Sequence, residues 1–250
     1  MTNFVRCSAM VLCVLVHFTS TGTADEPVGF CEVVAVTPSR TINHEIDLKG
    51  QFDKEVTETF LTGPQLFSHA VGFGGKAPAN EDTYLNWYKI EKPVAEPRRV
   101  LSVRDPLRGN GRHQIVIENA AFLLSPSQRV TSGPPSRIPA ELNPFKAYRI
   151  VGSVTGNWKA KLTGSFGPEE RVATKAVFLC VPVQQWHHDE HFAIKNPAAC
   201  MLVYELIPNE VKLKVSTIDQ FGLNSLAVSS TKWMCLPTQV GTGDSVVEGN

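Results

Sequence analysis

Short stretches in which apolar and polar residues alternate recur along the chain. Residues 212–218 (KLKVSTI) and 114–118 (QIVIE) follow the two-residue period of a half-buried β-strand. Val and Ile are frequent in such stretches, and Gly, Pro and Asn interrupt them at short intervals. No long window keeps the 3.6-residue period of an amphipathic helix. The pattern therefore predicts an all-β protein built from many short strands.

The strand pattern is repeated with a period of about 55 residues. Residues 147–183 and 203–238 both begin with a tyrosine in an apolar run, pass through a Phe-Gly turn and end on a cysteine two residues before a proline. Another copy starts at residues 87–90, and the first copy starts at residues 30–33, with Cys31 at the tyrosine position. The closing positions, which are 56, 56 and 55 residues apart, are Ser68, Leu124, Cys180 and Cys235. A fixed period of this length is typical of repeat architectures, so each copy should give about three strands.

The repeat divides the chain into four degenerate β units. We expect the units at residues 25–76, 77–134, 135–190 and 191–240, with a flexible tail at 241–250. Such units either close into a pseudo-symmetric array or form two paired-unit barrels or sandwiches. The sequence leaves both arrangements open.

Residues 1–24 have the features of a secretory signal peptide. Arg6 supplies a positive charge, and residues 7–18 form an apolar run that is too short to span a bilayer. Gly22 and Ala24 suit cleavage after Ala24. We therefore expect a secreted protein, periplasmic or extracellular, without a membrane span in the mature chain. The alternative is a buried N-terminal helix.

Four cysteines follow this leader, and they are Cys31, Cys180, Cys200 and Cys235. An even number of cysteines in an exported chain predicts two disulfides. Pairing each closing cysteine with the opening cysteine of the next unit gives Cys180–Cys200, and Cys31–Cys235 if the array closes on itself. The rival pairing is Cys31–Cys180 with Cys200–Cys235.

The composition is that of a globular protein. The chain has 24 basic and 24 acidic residues, 42% hydrophobic residues and 19% charged residues. This balance excludes disorder and argues against nucleic acid as the main partner. The sequence contains no Gly-x-Ser-x-Gly motif, no phosphate-binding Gly-Lys-Ser/Thr loop and no dinucleotide glycine fingerprint. We therefore expect no enzymatic activity and no cofactor, with a divalent metal ion as the one alternative.

The densest group of metal-ligating side chains lies between the third and fourth units. His187, His188 and His191 stand beside Asp189 and Glu190, and imidazole and carboxylate groups are ligands for Zn²⁺ and other divalent ions. A single loop cannot direct all five side chains at one ion. The alternative is a solvated linker without a metal.

A second group is basic. Five arginines fall within 15 residues, and they are Arg98, Arg99, Arg104, Arg108 and Arg112. Residues 109–111 (GNG) predict a hairpin turn that brings several guanidinium groups to one side, where they would pair with sulfate, phosphate or carboxylate groups. The hypothesis is binding of an anionic glycan or another envelope protein. The alternative is a solvated hairpin whose arginines are balanced by nearby acids.

The aromatic residues allow a third interpretation. Tyr88, Tyr148 and Tyr204 recur at one position of the repeat, which favours a packed core. The alternative is a platform for sugar stacking, with the four tryptophans Trp87, Trp158, Trp186 and Trp233.

Several of these motifs together resemble a known family. Residues 219–222 (DQFG), the tyrosine strand before them, the Cys-x-Pro closure after them and residues 194–197 (IKNP) are similar to a bacterial secreted tandem-repeat family of unknown function. The copies of that family carry Cys-Tyr, then Asp-Gln-Phe-Gly, then Leu-Cys-x-Pro. The resemblance covers residues 145–240 well and residues 25–130 weakly. The resemblance implies a secreted β-repeat module and supplies no activity. From the sequence as a whole we expect a non-enzymatic binding or structural module of the envelope or the extracellular space.

Overall fold

The computed structural model describes residues 29–109, 111–164, 167–241 and 245–247. The predicted leader lies outside these residues. The described residues form β-strands and no helix, which confirms the all-β prediction. The strands are β1 (Cys31–Pro38), β2 (His44–Gly50), β3 (Thr57–Ala70), β4 (Gly72–Phe73), β5 (Tyr84–Glu91), β6 (Arg98–Arg104), β7 (His113–Val130), β8 (Phe145–Val151), β9 (Thr155–Gly164), β10 (Gly167–His187), β11 (Glu190–Phe192), β12 (Cys200–Leu206), β13 (Glu210–Asp219), β14 (Gly222–Val240) and β15 (Ser245–Val247).

Eight of these strands pair side by side and close into a ring. The order is β1, β3, β5, β7, β8, β10, β12 and β14, and β14 returns to β1. All the pairings are antiparallel, as expected where short connections join neighbouring strands. Closure leaves no free edge in the ring itself. The sheet is thus closed, and the division into four units stays a prediction.

The pairing register recurs around the ring. Each closing position lies in a long strand and faces one residue of the ring strand on either side; Leu124, for example, faces Trp87 and Phe145. Within its own unit, each closing position faces one residue of the first ring strand. The residue that follows this partner is Val34 in the first unit, Tyr88 in the second, Tyr148 in the third and Tyr204 in the fourth. The register therefore places Val34, not Cys31, at the position of the tyrosines. The expectation for Cys31 was wrong by three residues because the first copy has no tyrosine to fix the alignment.

An apolar cluster fills the inside of the ring. It draws buried residues from all eight ring strands, as alternate side chains of a closed sheet point inward. Its large members include Trp87, Phe122 and Phe178, and the rings of Trp87 and Phe122 meet edge to face with centroids 5.9 Å apart. The interior is thus a packed core.

A second apolar cluster lies between the ring and the strands that fold back over it. Leu48 of β2, Leu101 of β6 and Leu162 of β9 are buried in this outer layer. Leu48 is fully buried, and burial of such a side chain contributes about 1.5–3 kcal/mol to the free energy of unfolding. The tyrosines Tyr88, Tyr148 and Tyr204 are buried in the same layer. Their burial confirms the packed-core interpretation for these three residues.

The folded-back hairpins exchange contacts across the molecule. Strand β2 pairs with β3 and with the end of β10, and β9 pairs with β10 and with β4, which follows β3. Strand β6 pairs with β7 and with the end of β14, and β13 pairs with β14 and with the end of β7. Each hairpin therefore covers a long strand from the opposite part of the ring. Two such reciprocal exchanges link residues that are far apart in sequence.

Two segments expected to be irregular contain strands. Residues 185–187, at the start of the segment for which a solvated linker was the alternative to a metal site, extend β10 and pair with β11. Residues 245–247 of the predicted flexible tail form β15 on the edge of β6. Across the described parts of the chain, no helix is long and apolar enough to cross a membrane.

Candidate functional site

The turn between β13 and β14 is the centre of a buried polar network. Asp219 accepts hydrogen bonds at Oδ2 from the Tyr88 hydroxyl (2.7 Å) and from Asn86 Nδ2 (2.7 Å), and at Oδ1 from the backbone N–H of Phe221 (2.9 Å). Asn224 Nδ2 donates to the Tyr88 hydroxyl oxygen over 3.2 Å. Burial raises the pKa of Asp219, and these hydrogen bonds act in the opposite direction. Burial and then the Asp219 charge raise the pKa of Tyr88, so the phenol keeps its proton.

Two histidines meet this network through Phe221. The Phe221 ring centroid lies 4.4 Å from that of His44 and 5.0 Å from that of His187. The two imidazole centroids are 6.2 Å apart. Burial is the main cause that lowers the pKa of both histidines; the second cause is the charge of His187 for His44, and that of His188 for His187. Both rings are therefore neutral at pH 7 and pack as aromatic groups.

The turn between β6 and β7 repeats the tyrosine–aspartate contact. The Tyr204 hydroxyl donates to Asp105 Oδ2 over 3.1 Å, and the backbone N–H groups of Leu107 and Arg108 donate to Asp105 Oδ1 over 2.9 and 3.1 Å. His113 Nε2 lies 3.7 Å from Asp105 Oδ2. Asp105 thus holds its own turn together and fixes that turn to β12.

In the turn between β2 and β3, the aspartate is bound by a lysine instead of a tyrosine hydroxyl. Lys146 Nζ lies 3.0 and 2.9 Å from the two carboxylate oxygens of Asp53 and 3.4 Å from Glu96 Oε1. Lys146 and Asp53 are almost fully buried. Burial raises the pKa of Glu96, and the charge of Lys146 lowers it. The Tyr148 hydroxyl has no hydrogen-bond partner among the described residues.

A further buried ion cluster joins β1, β3 and β10. Arg171 Nη2 lies 3.7 Å from Glu32 Oε1, and His69 Nε2 lies 3.5 Å from Glu32 Oε2. Arg171 also donates to the Thr231 hydroxyl. These side chains are closed off from solvent, so the cluster joins strands and offers no open site.

A family model supports the repeat pattern. The model, described as a repeat of unknown function (DUF7450), matches residues 84–237, which is more than half of the chain. The chain belongs to this repeat family. No curated protein matches it, and no solved structure does so either. The matched segment runs from β5 into β14 and contains both tyrosine–aspartate contacts.

The histidine-rich segment of this family member is a hairpin. His187 faces Glu190 and Trp186 faces His191 in the β10–β11 pairing, and His188 has a φ of 53° in the two-residue turn. The His191 ring stacks on Trp186 with centroids 4.7 Å apart, whereas His187 packs against Phe221. Among the described residues, no three His, Cys, Asp or Glu side chains are placed to hold a metal ion. The structure brings His187 and His188 together, with ring centroids 4.2 Å apart, but places His191 against Trp186 instead.

The predicted arginine group is divided between the two ends of β6. At one end, Arg98 lies 3.4 Å from Glu118 and Arg99 donates to the backbone oxygen of Phe52 over 3.1 Å. At the other end are Arg104, Arg108 and Arg112, and Arg108 lies over the Trp158 ring, 5.6 Å from its centroid. The two ends of a seven-residue strand are about 20 Å apart. The five guanidinium groups therefore do not form one binding face, and Asn110 of the predicted turn lies outside the described residues.

The four cysteines are free thiols in this structure, so the two expected disulfides are not present in it. Burial raises the pKa of Cys31 to about 12 and that of Cys200 to about 12. Such thiols stay protonated and are poor nucleophiles. Cys31 lies directly opposite Cys235 in the β1–β14 pairing. Cys180 belongs to the apolar cluster inside the ring, the inner cluster, and Cys200 belongs to the cluster between the ring and the folded-back strands, the outer cluster. Their side chains therefore lie on opposite faces of the sheet.

Sequence reasoning missed the partners of the turn residues. Asp219 and Gln220 were treated only as parts of a turn motif, although Asp219 bonds Tyr88 and Gln220 borders a cavity of about 280 Å³. The recurring tyrosines and the aspartates in the turns were both visible. The repeat period, however, does not show which ring strand each turn contacts.

Proposed function

We propose that this member of the repeat family is an exported, non-enzymatic protein that serves as a binding or structural module of the cell envelope or the extracellular space. The main support is the use of its ionisable turn residues. Asp219 and Asp105 each accept a hydrogen bond from a buried tyrosine of a distant ring strand, over 2.7 and 3.1 Å. Carboxylates engaged in this way hold the turns on the ring, which supports a structural role for these two aspartates and not that of a general base.

Export is supported by the leader sequence. Arg6, the apolar residues 7–18 and the small residue Ala24 match the three parts of a signal peptide in order. A closed ring also exposes few unpaired strand edges, which protects an exported protein from edge-to-edge aggregation.

The experiment is to express the full chain in a bacterial host and to measure the mass and location of the product. We expect a periplasmic or secreted protein that begins at Asp25. The variant Val14→Arg, which puts a charge in the apolar run, should remain in the cytoplasm at full length. A wild-type product that keeps Met1 and stays in the cytoplasm would refute export.

A second candidate is anion binding through Arg112, one of the five predicted arginines. Arg112 lines a cleft of about 520 Å³ together with Gln51 and Gln239, which add side-chain amide donors. Retention on heparin resin tests it. Arg112→Ala should elute at lower salt than the wild type, whereas Arg98→Ala, at the other end of β6, should elute like the wild type. A wild-type protein that is not retained at low salt would end this candidate.

A further inference from the structure

A cavity of about 280 Å³ lies between the β7–β8 connection, β11 and the turn that follows β13. Its apolar walls include Ile138, Leu142, Pro144 and Phe192. Apolar cavities of about 150 Å³ already bind benzene-sized molecules, and most pockets for larger ligands begin near 300 Å³. The volume therefore fits a small organic molecule or one apolar side chain.

Two polar side chains at this cavity have no hydrogen-bond partner within the described parts of the chain. Ser125 is 1% exposed, and its Oγ has no hydrogen-bond partner among the described residues. Gln220 Nε2 is also buried without a partner there. Both residues line the cavity. Buried hydroxyl and amide groups are nearly always hydrogen-bonded, so two unpaired donors at one cavity indicate a ligand that carries an acceptor.

The walls are held in place by the protein itself. Asn143 is fully buried; its Nδ2 donates to the backbone oxygen of Asn196 over 2.7 Å, and its Oδ1 accepts from the backbone N–H of Lys195 over 2.7 Å. This clamp fixes the wall before β8 to the wall after β11. Phe192 is fixed by its pairing with Gln185. A preformed cavity binds a ligand without an ordering cost in the protein.

The charges at the cavity balance each other. Glu190 and Lys195 are the charged residues that line it, both are exposed, and they have opposite signs. A ligand with one net charge would gain from one of them and be opposed by the other. An uncharged ligand avoids the cost of leaving its charge in an apolar enclosure.

We propose that this cavity binds a small uncharged molecule that has an apolar body and one carbonyl or amide oxygen. The oxygen accepts hydrogen bonds from the Ser125 hydroxyl and from Gln220 Nε2, and the apolar body packs against Leu142 and Phe192. This inference deepens the proposed binding role by naming a ligand class, and it rests on that role. Its test is separate from the export experiment, because leader cleavage is measured without any ligand.

The test compares two probes of nearly the same shape on the mature full chain. Acetophenone carries the acceptor oxygen, and ethylbenzene lacks it. Titration followed by backbone amide NMR shifts should give saturable binding of acetophenone, at least about fivefold tighter than ethylbenzene, because one hydrogen bond is worth roughly that factor. The shifts should include the amides of Ala193 and Gln220, which line the cavity.

Three variants locate the binding. Ser125→Ala should weaken acetophenone by about fivefold and leave ethylbenzene unchanged. Ser127→Ala is the matched control, since Ser127 is in the same strand and equally buried, and its Oγ also has no hydrogen-bond partner in the described part of the chain, but it does not line the cavity. It should bind both probes like the wild type. Ala193→Trp places a large ring at the cavity and should abolish binding of both probes.

Any one of three results would overturn the proposal. They are the absence of saturable acetophenone binding up to about 10 mM, equal affinity for the two probes, or unchanged binding in Ala193→Trp. Equal effects of Ser125→Ala and Ser127→Ala would likewise refute it. None of these outcomes affects the export of the protein, which stands or falls on the processed N-terminus.

Discussion

The hydroxyl of Tyr88 donates to Asp219 Oδ2 over 2.7 Å, although 131 positions separate the two residues in sequence. Tyr204 and Asp105 repeat the contact in the opposite direction along the chain, over 3.1 Å and across 99 positions. The turn between β6 and β7 thus holds β12, and the turn between β13 and β14 holds β5. Each of these two contacts joins parts of the chain that lie far apart in sequence. Variants that remove such a contact therefore test how the ring is held together.

The first prediction concerns the stability that this contact supplies. Tyr88→Phe should lower the free energy of unfolding by about 1–3 kcal/mol, because it removes one donor from a buried carboxylate. The double variant with Asp219→Asn should be less destabilised than the sum of the two single variants, as expected for residues in direct contact. Denaturant unfolding of the four proteins measures this coupling.

The matched control is Tyr148→Phe. Tyr148 occupies the same register position as Tyr88, but its hydroxyl has no hydrogen-bond partner among the described residues. Removing an unpaired buried hydroxyl should leave stability unchanged or raise it slightly. Equal losses in the Tyr88 and Tyr148 variants would show that the hydroxyl–aspartate bond contributes nothing.

The sequence was sufficient for part of this arrangement. Alternation in residues 212–218 predicted a strand, and the Phe-Gly turn predicted the end of that strand, because both depend on neighbours in the chain. The contact of Asp219 with Tyr88 depends on which hairpin covers which strand, and a repeat period is the same for every choice of partner. The burial of the tyrosines was predictable for a different reason, since a residue that recurs in an apolar run is most simply placed in a core.

The second prediction concerns the buried lysine. Lys146→Met should destabilise the protein by about 3–5 kcal/mol, because it leaves Asp53 and Glu96 without their cation in a buried site. Lys89→Met is the control, since Lys89 pairs with Glu91 at the surface over 2.8 Å. Exposed pairs contribute about 0–1 kcal/mol. Thermal melts of both variants give the comparison, and similar losses would contradict it.

The third prediction follows from the neutral histidines. Burial, with the charge of His187 as the second cause, holds the pKa of His44 below the usual 6.5. The native state therefore binds fewer protons than the unfolded chain, so stability is complete above about pH 7 and is lost as the pH falls through the lowered pKa. The groups that meet His44 are His187, Phe221 and Tyr88, and none of them supplies a negative charge.

Thermal melts between pH 7.5 and pH 5 measure this dependence. The variant His44→Gln removes the titrating group, so its melting temperature should fall less steeply with acid than that of the wild type. The same slope in the wild type and in His44→Gln would contradict the prediction.

The fourth prediction concerns the metal hypothesis for His187, His188 and His191. His187 and His188 are neighbours, but the hairpin places His191 on its other face, against Trp186, so Zn²⁺ should raise the melting temperature by less than about 2 °C. A specific site at 100 times its dissociation constant would add about 2.7 kcal/mol, or roughly 5–10 °C for a chain of this size. A rise of that size, lost when the three histidines are changed to alanine, would restore the metal site.

The histidine segment also shows why local composition misled the sequence analysis. Polar residues in a row are typical of a linker, yet residues 185–187 continue β10 because their backbone groups pair with β2 and β11. Pairing with a distant strand overrides local preference. In the hairpin, His187 and His191 belong to successive cross-strand pairs and therefore lie on opposite faces, so the three histidines cannot converge on one point.

The last prediction concerns the two cysteines where the ring closes. Cys31 and Cys235 are directly opposed in an antiparallel pair, where Cα atoms lie about 4.5–5.5 Å apart. A disulfide accepts Cα separations of about 4.4–6.8 Å. Refolding in an oxidising buffer should therefore yield a Cys31–Cys235 bond, whereas Cys180 and Cys200 should not join, since their side chains lie on opposite faces.

Non-reducing peptide mapping detects the bond, and melts with and without reductant measure its effect. A link that closes a loop of this length is worth roughly 5 kcal/mol in the chain-entropy model, so the oxidised protein should melt clearly higher than the reduced one. Cys235→Ser should remove the difference and Cys180→Ser should keep it. A Cys180–Cys200 peptide in the map would contradict the register of β10 and β12, and with it the separation of the inner and outer clusters at that point.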